Sequence, residues 1–209
     1  MQETISIVDY GMGNLGSIIN MLKKVGANAI LASDPASVAQ ARKLILPGVG
    51  AFDHGMIKLR ARGLIDALNR KVLDEKAPVL GICLGAQLIT RSSEEGVEAG
   101  LGWVSARTVR FQFNGAEASR LRVPHMGWNT IRPLKPSPLL AEMAAECRFY
   151  FVHSYHIVCD VLGDRLGETH YGIPFTSIVQ HENIIGAQFH PEKSHKFGMQ
   201  LLKNFVERF

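Results

Sequence analysis

Hydrophobic positions along this chain follow two different rhythms. In the first half, short apolar runs alternate with stretches of helical periodicity. Ile5-Ser6-Ile7-Val8, Asn28 to Leu31, Lys43 to Leu46 and Pro78-Val79-Leu80-Gly81-Ile82 read as strands. Leu15 to Val25 reads as a helix, with Leu15, Ile18, Ile19 and Leu22 on one face. Ser33-Asp34-Pro35 marks a helix start with proline in the first turn, and Asp53 to Leu73 reads as helix broken near Gly63. This βαβα order predicts a mainly parallel sheet covered by helices.

The second half is punctuated by Gly, Pro and Asn. Trp103 to Phe113, Ala118 to Val123, Phe149 to Val152, Ile157 to Val161, Gly167 to Gly172, Thr176 to Gln180 and Ile184 to Phe189 read as successive strands. Some of them are expected to extend the same sheet in antiparallel fashion. A last helix, Phe197 to Phe209, carries the stripe Leu201, Leu202, Phe205 and Val206. The expectation is a single α/β domain over residues 1–209, with helices on both faces of the sheet.

Composition narrows the partners. Hydrophobic residues make up 46% and charged residues 20% of 209 positions, with a net charge of +4. Those proportions suit an ordinary globular chain. The basic residues are dispersed, which argues against a nucleic-acid or membrane surface. Lys23-Lys24 and Lys193 to Lys203 are the stretches suited to a protein partner. Three cysteines, Cys83, Cys147 and Cys159, form neither a disulfide framework nor a metal spacing. With no signal-type start and no membrane-length apolar run, the chain reads as cytoplasmic.

Two segments carry chemistry. The strand ending at Ile82 runs into Cys83 and then into a helix from about Gly85, the context of a nucleophile elbow. Helix amides behind such a cysteine favour a thiolate. The strand Ile184 to Phe189 leads into His190-Pro191-Glu192. In an extended chain, residues two apart share a face, so Glu192 is placed to orient His190. Thiol, imidazole and carboxylate in these roles suit covalent acyl transfer.

Other patterns compete. Gly11-Met12-Gly13-Asn14-Leu15-Gly16 fits a dinucleotide-binding fingerprint, with Asp34 near the position of a ribose-binding acid. Against it, Asp9 at the strand end would bring negative charge towards a pyrophosphate. His125, His153 and His156 lack zinc spacing and read as strand residues with satisfied rings, so no metal or cofactor is expected. Trp128, in a Pro- and Gly-bounded loop, fits either a core position or a contact anchor.

Taken together, the chain resembles the class I (triad-type) glutamine amidotransferase family. The resemblance rests on Asp9 to Asn14, Leu46-Pro47-Gly48-Val49-Gly50, Gly81 to Gln87, Gly100 to Trp103, Pro124-His125-Met126-Gly127-Trp128-Asn129, Tyr150 to Tyr155 and Gln188 to Lys193. Ala86 departs from the Met often found there.

The resemblance implies hydrolysis of L-glutamine by Cys83, His190 and Glu192. The oxyanion donors would be Leu84 and the Gly48-Val49-Gly50 segment, which is implied to rest in a non-productive orientation until a partner engages. Gln87, Glu95, Ser154 and Tyr155 would bind substrate, although Glu95 reads equally as a solvated acid. Asn14, Pro124, His125, Met126, Trp128, Asn129 and Lys193 would face a HisF-type (β/α)8 cyclase barrel. That partner would use the ammonia to form imidazole glycerol phosphate and an aminoimidazole carboxamide ribotide in histidine biosynthesis. A sugar amidotransferase of surface-polysaccharide biosynthesis is the alternative destination. A stand-alone cysteine hydrolase and a nucleotide-binding module are further alternatives.

Overall fold

Strand order explains why distant segments of this chain meet. The computed structural model describes residues 2–115, 117–144 and 146–209. Five parallel strands form the centre of the sheet: β1 (Thr4–Val8), β2 (Asn28–Ala32), β3 (Leu44–Leu46), β4 (Val79–Ile82) and, much later in the chain, β12 (Ile184–Ala187). Their order is β2-β1-β3-β4-β12, which sets β12 directly beside β4. Beyond β12 the sheet turns antiparallel through β11 (Ile173–His181), β10 (Arg165–Tyr171) and β7 (Arg132–Pro133). A branch from β11 carries β9 (Tyr155–Cys159) and β5 (Ala106–Arg110).

The central strands are apolar on both faces because helices cover both. Alternation divides their side chains between two cores. Ile5, Ile7, Ile45, Leu80, Ile82 and Ile185 pack on one face with α1 (Leu15–Lys24) and α7 (His195–Arg208). Leu44, Leu46, Val79 and Ile184 pack on the other. There they meet α2 (Pro35–Ala39), α3 (Phe52–Ala61), α4 (Leu64–Asn69) and α5 (Leu84–Leu88). Gly63, at φ 65°, separates α3 from α4.

Two expectations for the second half are corrected. The segment Ala118 to Val123 is not a strand. The turn Glu117–Arg120 is a short helix, α6, in a polar run without β-branched residues, and Pro124 follows closely. The segment Pro124 to Asn129 is not a loop, because His125–Thr130 forms strand β6. It pairs antiparallel with β8 (Arg148–His153) in a separate two-stranded sheet, so β8 does not extend the main sheet.

Helix α7 buries Leu201, Leu202 and Phe205 completely. Phe205→Ala is expected to cost about 3–5 kcal/mol in a urea-denaturation titration. A loss below about 1 kcal/mol would show that α7 is not an integral part of this core.

Candidate active site

The elbow is built by close backbone approach. Cys83 stands alone between β4 and α5 with φ 53° and ψ −107°, a strained conformation for a side-chain-bearing residue. The turn is possible because Gly85 lies against β3: a Cβ there would sit 1.8 Å from the Leu46 carbonyl oxygen. Gly48 is similarly pinned, since a Cβ there would lie 2.7 Å from Tyr10 Oη and 2.8 Å from Leu84 Cβ. Helix α5 spans only five residues, so it offers amide donors near Cys83 rather than a long helix dipole.

Sheet pairing brings the second segment in. Ala187 of β12 is in register with Ile82 of β4, and His190 follows three residues later. Its amide donates to the Tyr150 carbonyl at 2.9 Å. Ser194 Oγ donates to the His190 carbonyl at 2.6 Å and accepts from Tyr150 N–H at 3.0 Å. Glu192 reaches the ring by a route other than the extended strand expected from its spacing. Pro191–Lys193 is a 3-10 turn that proline starts, and the turn folds the carboxylate back.

His190 Nδ1 and Glu192 Oε1 are 2.8 Å apart, with both side chains almost fully buried. Burial opposes charge on His190, but hydrogen bonding and charge from Cys83 and Glu192 outweigh it and raise the pKa to about 10. His190 Nε2 is buried without a well-formed hydrogen bond, and Cys83 is the group to which the ring is coupled. Both residues open onto a cavity of about 390 Å³, a size suited to a small molecule.

Gln87, Glu95, Ser154 and Tyr155 also line this cavity. Gln87 Nε2 donates to Tyr155 O at 3.2 Å and to Gln188 Oε1 at 3.1 Å, leaving its oxygen as the free end. Glu95 Oε2 accepts from the Phe52 amide at 2.8 Å, at the start of α3. It is an exposed acid, held at the edge of the cavity by that bond. Leu84 N–H points at the Gly48 carbonyl, 3.4 Å away, so one expected donor is engaged by the other expected segment.

The expected partner residues separate by strand alternation. On β6, Met126 and Trp128 are exposed while His125 is buried. Asn129 bonds internally, to His125 Nε2 at 3.3 Å and to the His170 carbonyl at 3.0 Å. His125 thus faces inward, contrary to the contact role expected of it, while Asn129 is partly buried and engaged within the chain. Asn14, Pro124 and Lys193 are exposed. Trp128 stacks on His195, and Lys193 lies over the Tyr150 ring.

His125 Nδ1 and His153 Nε2 are 3.0 Å apart, and His153 Nδ1 donates to the Tyr155 carbonyl at 2.7 Å. His156 is the exception to the expected ring satisfaction, because its buried Nδ1 has no hydrogen-bond partner among the described residues. Among the described residues, no group of three or more His, Cys, Asp or Glu is arranged to hold a metal ion. Asp34, the candidate ribose acid, is instead the N-cap of α2 and accepts from Ser37 N–H at 2.8 Å. Burial raises the thiol pKa of Cys147, and that of Cys159 to about 11. Neither lines the cavity.

Sequence reasoning missed Tyr10 as a site residue. Its fully buried hydroxyl donates to the Pro47 carbonyl at 2.6 Å. Burial, then the charge of nearby Cys83, pushes its pKa well above that of an ordinary tyrosine. Its place inside the Asp9-Tyr10-Gly11 motif was the available signal.

The chain belongs to the class I glutamine amidotransferase family, whose sequence profile matches residues 6–209 under the description "Glutamine amidotransferase class-I". Among its relatives is the "Imidazole glycerol phosphate synthase subunit HisH 2" of Methanococcus maripaludis, 52% identical over 98% of this chain and 99% of that one. The protein of the same name from Pseudomonas aeruginosa is 51% identical over 97% and 98%. In fold, the chain is similar to a structure of PurLQS from Thermotoga maritima, with a TM-score of 0.73, 15% identity and coverage of 99% and 98%. A glutamine amidotransferase from the same organism gives a TM-score of 0.71 at 14% identity, covering 100% and 98%.

The buried histidines predict acid sensitivity. Burial lowers the pKa of His125 to about 4 and of His153 to about 3. A group with a depressed folded pKa stabilises the fold above its unfolded pKa and loses that contribution as pH falls towards the folded value. Between pH 6.5 and 5, unfolding free energy should drop by about 1–1.5 kcal/mol for each of these two rings. Denaturant titrations across that window check it, and a flat profile would contradict neutral burial.

Proposed function

We propose that this chain is the glutaminase subunit of an imidazole glycerol phosphate synthase, working with a HisF-type (β/α)8 cyclase barrel in histidine biosynthesis. The observation that carries the chemistry is the buried His190–Glu192 pair coupled to Cys83 at the cavity floor. Identity to HisH proteins over nearly the whole chain supports the partner and pathway.

In this reading the Cys83 proton already rests on His190, and the thiolate attacks the carboxamide carbon of glutamine. His190 returns a proton to the departing ammonia, leaving a thioester on Cys83. A water molecule, deprotonated by His190, then cleaves the thioester to give glutamate and regenerate the thiol. Glu192 holds the imidazole tautomer and supports its positive charge. The ammonia goes to the barrel.

The tetrahedral intermediate needs an oxyanion hole. The Leu84–Gly48 contact supports a resting state in which that hole is closed by a carbonyl. Turning the Gly48–Val49 peptide would free Leu84 N–H and direct the Val49 N–H inward. Loss of one such donor typically slows acyl transfer by about 100- to 1,000-fold. Partner docking on the Met126–Trp128 face is the event assigned to this change.

Glutamate release by the isolated chain should be slow and should rise by at least about 100-fold with a HisF-type barrel carrying its acceptor-site ligand. Cys83→Ala should abolish release while the complex still forms on a sizing column; retained turnover would remove Cys83 as nucleophile. Trp128→Ala should weaken barrel binding measured by calorimetry by roughly 2 kcal/mol or more. Unaltered affinity would place the contact elsewhere.

A further inference from the structure

The oxyanion segment has one end tied down by a group outside the triad. Tyr10 sits two residues beyond β1, with no solvent exposure. Its hydroxyl donates to the Pro47 carbonyl, the peptide immediately before Gly48. The same oxygen lies 2.7 Å from where a Gly48 Cβ would be, and Leu84 Cβ and the Gly85 nitrogen crowd that position at 2.8 and 2.9 Å. One residue further, the Gly48 carbonyl rests on Leu84 N–H at a long 3.4 Å. The following residues are looser, with Val49 exposed and Gly50 at φ 101°. A firm bond at 2.6 Å thus precedes a weak one by a single peptide.

We infer that Tyr10 is a positioning residue for the oxyanion hole: its hydroxyl fixes the Pro47–Gly48 peptide so that only the Gly48–Val49 peptide turns. This rests on the glutaminase reading above. With the preceding peptide anchored, rotation of Gly48–Val49 occurs about a stationary Cα and brings the Val49 N–H to one defined place. Without the anchor, rotation spreads over two peptides and the donor arrives in a range of positions. Oxyanion stabilisation depends steeply on donor placement, so the effect falls on the turnover step and not on glutamine binding. The hydroxyl stays protonated in this buried setting and donates in both orientations.

The test uses the complex with the HisF-type barrel and its ligand. Tyr10→Phe should lower the stimulated kcat by about 10- to 100-fold while KM for glutamine stays within about twofold. Alkylation of Cys83 by iodoacetamide forms no oxyanion, so its rate should match the wild type. 4-Aminophenylalanine at position 10 keeps a donor and should restore kcat; 4-fluorophenylalanine fills similar space without one and should not. That second pair decides the matter if Tyr10→Phe fails to fold. Wild-type kcat in Tyr10→Phe or in the fluoro variant overturns the inference, as does a loss carried by KM or by the alkylation rate. Absence of glutaminase activity in the wild-type complex would instead overturn the underlying reading.

Discussion

The contact on which the site depends is between two stretches of backbone. Gly85 presses against the carbonyl of Leu46, leaving no room for a methyl group. That approach locks the turn after β4 onto the end of β3. It sets the strained Cys83 conformation, puts Leu84 N–H beside Gly48 and lets Tyr10 reach Pro47. Nucleophile, expected oxyanion donors and anchor are therefore fixed by one steric constraint. The histidine and carboxylate come by a separate route, through β12 pairing with β4.

Rigid and adjustable parts divide along the same line. Cys83 follows directly on β4, and His190 and Glu192 sit at a turn after β12 held by Ser194 and Tyr150. The 48–50 segment is held firmly at one end only. The small β6–β8 sheet is separate from the main one and reaches the site. Tyr150 bridges to His190, while Val152, His153 and Pro124 line the cavity. Its outer side presents Met126 and Trp128. A load on that side thus has a short path to the cavity wall.

Much of the fold was legible because the inner parallel strands are doubly buried and read as apolar runs, and because Asp34-Pro35 is an unambiguous helix start. Cys83 and His190-Pro191-Glu192 could be singled out from local context. What escaped depends on long-range geometry. The pairing of His125–Thr130 with β8 is invisible in a segment that looks like a loop, and it turns His125 inward. The 3-10 turn at Pro191 replaces an extended path without losing the His190–Glu192 contact. Tyr10 drew no role of its own because its hydroxyl partner lies 37 residues away.

The three thiols occupy unequal settings. Cys147 and Cys159 are buried, away from the cavity and held towards the protonated form, whereas Cys83 faces the cavity. The folded chain therefore offers a soft electrophile one sulfur out of three. Mild alkylation becomes a counting tool: moles of label per mole of protein report the fraction of molecules with an intact elbow, whatever their turnover rate.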